Sequence, residues 1–201
     1  MYKTLKWFIT IVLLIVIVVL NFTTVISAAR FTRCEPSLLI YEGVLPHVVV
    51  DNNESYEELD YDDLLSPSNV SADELEAVVK YDLKPLVDTF LEAENEYGVN
   101  AVYLIAISAL ESGWGRYQFY DNNIFGFGSK EFDSEEECIM YVAEFIRTHY
   151  LQKDGMYYGG GFKLKHVNKS WNGSSHWLEV TTEIADSLIE KLNTNRESSS
   201  A

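Results

Sequence analysis

Apolar and charged positions divide the chain into stretches of different character. Residues 7–29 carry no charge and follow Lys3 and Lys6. Residues 34–79 contain twelve Asp or Glu and no Lys or Arg, and Pro36, Pro46 and Pro67 punctuate them. From Ser71 onward, apolar residues recur at helical spacing. Ser71 and Glu74 have the spacing of a capping box, and Leu75, Val78 and Val79 form the stripe behind it. Pro85 suits a first helical turn and Gly98 a stop. They predict a second helix whose inner face is Leu86, Phe90, Leu91 and Tyr97. Asn100 caps a third helix, from Ala101 to about Leu110, that is apolar on nearly every side. Such a helix belongs at the centre of a domain. Residues 112–132 read as loop. Ser134 and Glu137 then open a helix with Ile139, Met140, Val142, Phe145 and Ile146 inward. Residues 153–174, with Gly159, Gly160 and Gly161, read as irregular. A last helix over 175–192 takes Trp177, Val180, Ile184, Leu188 and Ile189 as its apolar set. Strand signals are weak, so the expected class is mainly α.

These patterns give four segments. Residues 1–29 read as a signal anchor or a cleaved signal peptide: two lysines, an apolar run, then the small residues Ser27, Ala28 and Ala29. Either reading sends the rest of the chain out of the cytoplasm, membrane-anchored or secreted. Residues 30–70 read as an acidic linker, 71–192 as the folded domain, and 193–201 as a polar tail.

Charge narrows the partners. The 201 residues carry 15 Lys plus Arg and 31 Asp plus Glu, a formal net charge of −16. Phosphate binding needs a basic surface, which argues against nucleic acid. The same balance argues against electrostatic docking on anionic lipid or wall polymers. His47, His149, His166 and His176 show no metal-ligand spacing, and neither metal nor cofactor is expected. Cys34 and Cys138 leave a disulfide open. A monomer is the expected state.

The candidate chemistry centres on Glu111, in the run Ala109-Leu110-Glu111-Ser112-Gly113-Trp114-Gly115. Glycoside hydrolysis needs a proton delivered to the leaving oxygen by an acid still protonated near neutral pH. Burial beside Trp114 and the negative end of the helix dipole would both disfavour the charged form of a carboxyl placed here. Glu111 is therefore the expected general acid.

Asn100 to Gly115, followed by Asn122-Asn123-Ile124-Phe125-Gly126, resembles the glucosaminidase family of peptidoglycan hydrolases, glycoside hydrolase family 73. The resemblance continues through Phe132-Asp133-Ser134, Val167 to Trp171, and Trp177. It implies a lysozyme-like α-helical domain with a catalytic cleft, preceded here by the N-terminal hydrophobic helix. It implies cleavage of the β-1,4 bond after N-acetylglucosamine in bacterial wall glycan, with peptidoglycan strands as partner. Many members place a second acidic residue on a β-hairpin after the Asn-x-Phe-Gly motif. Here Gly128 to Phe132 is too short for that hairpin. Glu131 and Asp133 are the candidates for a second acid or base, and the substrate's own N-acetyl group is the alternative. Trp171 stands where members usually carry a functional Tyr, and Tyr157 or Tyr158 is a candidate for the missing hydroxyl. Sugar rings stack on aromatic faces. Trp114, Tyr120, Asn123, Tyr157 and Trp171 are accordingly the expected substrate-binding residues, with Phe125 turned inward. A muramidase, a lytic transglycosylase or a non-catalytic wall-binding module remain alternatives on the same fold.

Overall fold

The structure is a computed structural model that describes residues 59, 61 and 63–200, without the side chain of Ser200. The N-terminal hydrophobic segment, Cys34 and most of the acidic stretch lie outside the described residues. The described residues form helices in this order: α1 (Ala72–Val78), a 3₁₀ helix (Tyr81–Leu86), α2 (Val87–Tyr97), α3 (Ala101–Ser112), α4 (Glu135–Phe145), a π-helical turn (Ile146–Tyr150), α5 (Leu164–Trp171) and α6 (Ser175–Ser200). No strand occurs among the described residues. None of their helices is long and apolar enough to cross a membrane.

α3 is the axis of the fold. Ala101, Val102, Leu104, Ile105, Ala106, Ile107 and Ala109 are all buried, as its all-round apolar pattern requires. α3 packs along α6, and α2 packs against both α3 and α4. The polar groups inside are paired. Ser108 Oγ donates to the Ile124 carbonyl at 3.2 Å, and Ser112 Oγ donates to the Ser108 carbonyl at 2.7 Å. The N-terminus of α3 is fixed from two sides. Asn100 Oδ1 accepts the Val102 N–H at 2.9 Å. Glu94 Oε2 accepts the Ala101 N–H and its Oε1 the Ser68 N–H, both at 2.7 Å. A carboxylate belongs at that positive helix end.

Several boundaries differ from the sequence reading. Pro85 lies inside the 3₁₀ helix, and α2 begins at Val87. The stretch read as irregular contains α5, whose buried residues Leu164, Val167 and Asn168 follow helical spacing. α4 runs straight into the π-helical turn. The tail is helical: α6 spans 26 residues, about 39 Å. Its last turns are anchored, with Leu192 buried and the Asn193 side chain bonded to both backbone groups of Leu59 at 2.8 and 3.1 Å. Leu59, Tyr61 and Leu64, read as linker, belong to the core. Burial raises the Tyr61 phenol well above its ordinary value, and its hydroxyl donates to the Ser68 carbonyl at 2.6 Å.

Candidate active site

Glu111 is the penultimate residue of α3, half-buried, two positions before the Gly113 cap in left-handed conformation. Ser112 locks the turn that follows, because its Oγ also accepts the Gly115 N–H at 2.8 Å. Among the described residues the carboxylate is gripped on one oxygen only. Trp177 Nε1, from the first turn of α6, donates to Glu111 Oε1 at 2.8 Å. Trp171 Nε1, from the end of α5, donates to the same oxygen at 3.0 Å. An indole N–H can only donate. Oε2 has no hydrogen bond among the described residues.

Oε2 points at Gly126. A Cβ added to Gly126 would lie 3.2 Å from it, and the Gly126 φ of +58° disfavours any side chain there. Gly126 sits in a loop that Asn123 organises. The Asn123 carboxamide is buried; it accepts the Phe127 N–H at 2.8 Å and donates to the Lys130 and Phe127 carbonyls at 2.8 and 3.3 Å. These bonds tie Asn123 to the loop that carries Gly126.

Aromatic rings continue from Trp171. Its ring lies 6.1 Å from Phe127 and 5.8 Å from Tyr150. Tyr157 packs on Tyr150 at 5.2 Å and Phe145 at 6.0 Å, and Tyr141 joins Phe127 at 5.6 Å. Lys130 Nζ lies 4.6 Å from the Tyr141 ring centre. Burial, with Tyr157 adding to it, pushes the Tyr150 phenol up to about 12, so it stays a neutral donor. The π-helical turn places Tyr150 and His149 at the end of this row. Single π-helical turns are frequent at functional sites.

The sequence-predicted site residues fare differently. Trp171 reaches Glu111, but as a hydrogen-bond donor. Tyr157 belongs to the aromatic row. Tyr120 is 40% exposed on the loop. Phe125 is fully buried, as expected. Trp114 lines a different pocket of about 270 Å³ with Lys80, Glu183, Ile184, Ser187, Leu188 and Lys191, and the Lys80 ammonium lies 5.3 Å from its ring centre. The indoles beside Glu111 are thus Trp171 and Trp177. Glu131 and Asp133 are both exposed, and Asp133 flanks the α4 cap, its N–H bonded to the Glu137 carboxylate at 2.7 Å. Tyr158 packs on Phe162 instead of joining the row at Trp171. Cys138 is a free, buried thiol, pushed up to about 11 by that burial. The sequence reading places Gly126 and Trp177 in the family motif without giving either a role at Glu111, and counts Trp177 in the apolar set of the last helix. The pairing of Trp177 with Trp171 on one oxygen had no local signal.

Comparison with known proteins gives the family and the fold. The family model for Glucosaminidase, described as mannosyl-glycoprotein endo-beta-N-acetylglucosaminidase, matches residues 87–188. Two Streptococcus pneumoniae proteins, provisionally named endo-beta-N-acetylglucosaminidases, are 31% identical over 149 residues, 66% of this chain. The match covers only 22% and 21% of their own lengths. Among solved structures, a catalytic mutant of S. aureus Autolysin E in complex with the disaccharide NAG-NAM superposes with a TM-score of 0.52 at 19% identity, over 67% of this chain and 73% of that one. Autolysin E in complex with the muropeptide NAM-L-Ala-D-iGlu gives 0.51 at 19%, over 68% and 74%. The fold is therefore the lysozyme-like fold of these autolysins.

Proposed function

The chain belongs to the glucosaminidase family, and from that premise we propose that it is a peptidoglycan hydrolase that cuts the β-1,4 bond after N-acetylglucosamine, with Glu111 as the general acid. One observation supports Glu111 as the acid: two indole donors fix its Oε1 and orient the carboxyl, while Oε2 has no hydrogen bond among the described residues and is open to a glycosidic oxygen. The aromatic row from Trp171 to Tyr157 offers faces on which sugar rings stack.

In this mechanism Oε2 protonates the glycosidic oxygen as the C1–O bond breaks and positive charge develops on the sugar. The exposure of Glu131 and Asp133 favours assistance by the substrate. The carbonyl oxygen of the N-acetyl group attacks C1 and forms a cyclic oxazolinium. Water then opens that ring, and the Glu111 carboxylate takes the released proton. Acid and base are one residue used twice. A wall substrate places the domain outside the cytoplasm, held by the N-terminal segment or secreted, and acting as a monomer.

Product analysis tests this reading. Wild type and Glu111→Gln are incubated with purified peptidoglycan, and fragments are identified by mass spectrometry. Reducing-end N-acetylglucosamine released by wild type alone is the expected result. Reducing-end muramic acid would mark a muramidase, and anhydromuramic ends a lytic transglycosylase. Equal clearance by Glu111→Gln would overturn the role of the acid. Wall binding without cleavage would mark a non-catalytic module.

A further inference from the structure

The net charge of −16 hides a local reversal. From Gly155 to Leu178 the chain has no Asp or Glu and carries Lys163, Lys165 and Lys169. All three lysines are exposed and belong to α5 or its N-cap. Lys165 and Lys169 stand one turn apart on the same face, about 6 Å along the axis. The opposite face buries Leu164, Val167 and Asn168. Lys169 Nζ donates to the Gly159 carbonyl, which fixes that ammonium against the loop. The three charges act together on His166: burial lowers its pKa first, and Lys165, Lys169 and Lys163 lower it further. α5 ends at Trp171, the donor to Glu111, so the lysines lie within about 12 Å of the site's own wall along the helix axis.

We propose that this lysine face binds a flexible anionic polymer of the cell wall, a chain of phosphodiesters that runs beside the glycan strand. The identity of the polymer rests on the hydrolase reading; the surface itself does not. Lysines act as point charges, without the fork that would select a planar carboxylate. The face is open, so it reads charge density along a chain and not the shape of one group. Binding there would bring the domain to polymer-rich wall and lay α5 alongside the strand to be cut.

The test uses the 201-residue chain in detergent and immobilised poly(glycerol phosphate). Two variants of equal net charge are compared: Lys163→Gln/Lys165→Gln/Lys169→Gln, and the control Lys80→Gln/Lys84→Gln/Lys191→Gln. Three ammoniums against a flexible polyanion predict that binding weakens roughly tenfold or more between 50 and 200 mM salt. The α5 variant should lose at least tenfold in affinity at low salt, with an unchanged melting temperature, while the control stays close to wild type. Equal losses in both variants, or no binding by wild type at low salt, would overturn the proposal. Displacement by a free muropeptide dicarboxylate at matched charge would also overturn it, since stem-peptide carboxylates would then be the ligand. Intact polymer binding by a protein that releases no peptidoglycan fragments would overturn the hydrolase reading and support the surface assignment.

Discussion

Trp177 donates its indole N–H to Glu111 Oε1 at 2.8 Å, across 66 residues of sequence. Trp177 is 6% exposed, so the bond is sheltered from water. A hydrogen bond to a charged group contributes about 1.5–3 kcal/mol. Trp177→Phe keeps a ring in the core and removes the donor. Initial-rate assays on peptidoglycan should show kcat/KM reduced roughly ten- to hundredfold, about what that bond contributes. Thermal unfolding should show a smaller loss than Trp177→Ala, which also opens a cavity.

Gly126→Ala addresses the other oxygen. The new Cβ would stand 3.2 Å from Glu111 Oε2 in a left-handed backbone conformation. Left-handed geometry costs a residue with a Cβ about 1–2 kcal/mol. The expected outcome is a modest fall in melting temperature with a loss of activity greater than tenfold. A variant that keeps full kcat would show that Oε2 is not the proton-bearing oxygen.

Asn123 separates a loop-shaping role from a sugar-binding one. Asn123→Ala strands the Phe127 N–H and the Lys130 carbonyl. Both groups are within reach of water once freed, so the loss is about 1 kcal/mol per bond. Urea unfolding should show that scale of destabilisation, with activity lost as the loop under Gly126 relaxes. A raised KM with an unchanged urea midpoint would instead mean that the side chain meets substrate.

Arg196 and Glu74 give a pH signature of stability. Arg196 Nε donates to Glu74 Oε1 at 2.6 Å and holds the Glu74 carboxyl at about 2, against an ordinary 4.5. The folded value is depressed, so the stabilisation is fully present above about 4.5 and is lost as pH falls through about 2. The pair is partly exposed, so its contribution is about 1 kcal/mol. Arg196→Gln should lower the urea midpoint at pH 7, and the gap to wild type should narrow steadily below pH 4.5.

Much of this fold is legible along the chain. Capping at Ser71, Asn100 and Ser134, the glycine stops at 98 and 113, and the apolar run of α3 all act between near neighbours. α5 escaped notice because eight residues between glycine-rich segments look like loop. Its apolar spacing of Leu164, Val167 and Trp171 was nonetheless present. The end of α6 looked like a polar tail because Asn193 and Arg196 are polar. Their partners, Leu59 and Glu74, lie more than 120 residues away.

The same division runs through the site. The sequence by itself determined that Glu111 ends a central helix beside glycine turns, because helix periodicity and capping are set within a few residues. It also carried the motifs of the family. Only the tertiary structure decided which indoles hold the carboxylate, since Trp171 and Trp177 reach it across 60 and 66 residues. It moved Trp114 to another pocket and gave Asn123 to the loop. Which oxygen of Glu111 is held follows from those long-range bonds, and a hydrogen bond between distant segments leaves no periodic trace in the chain.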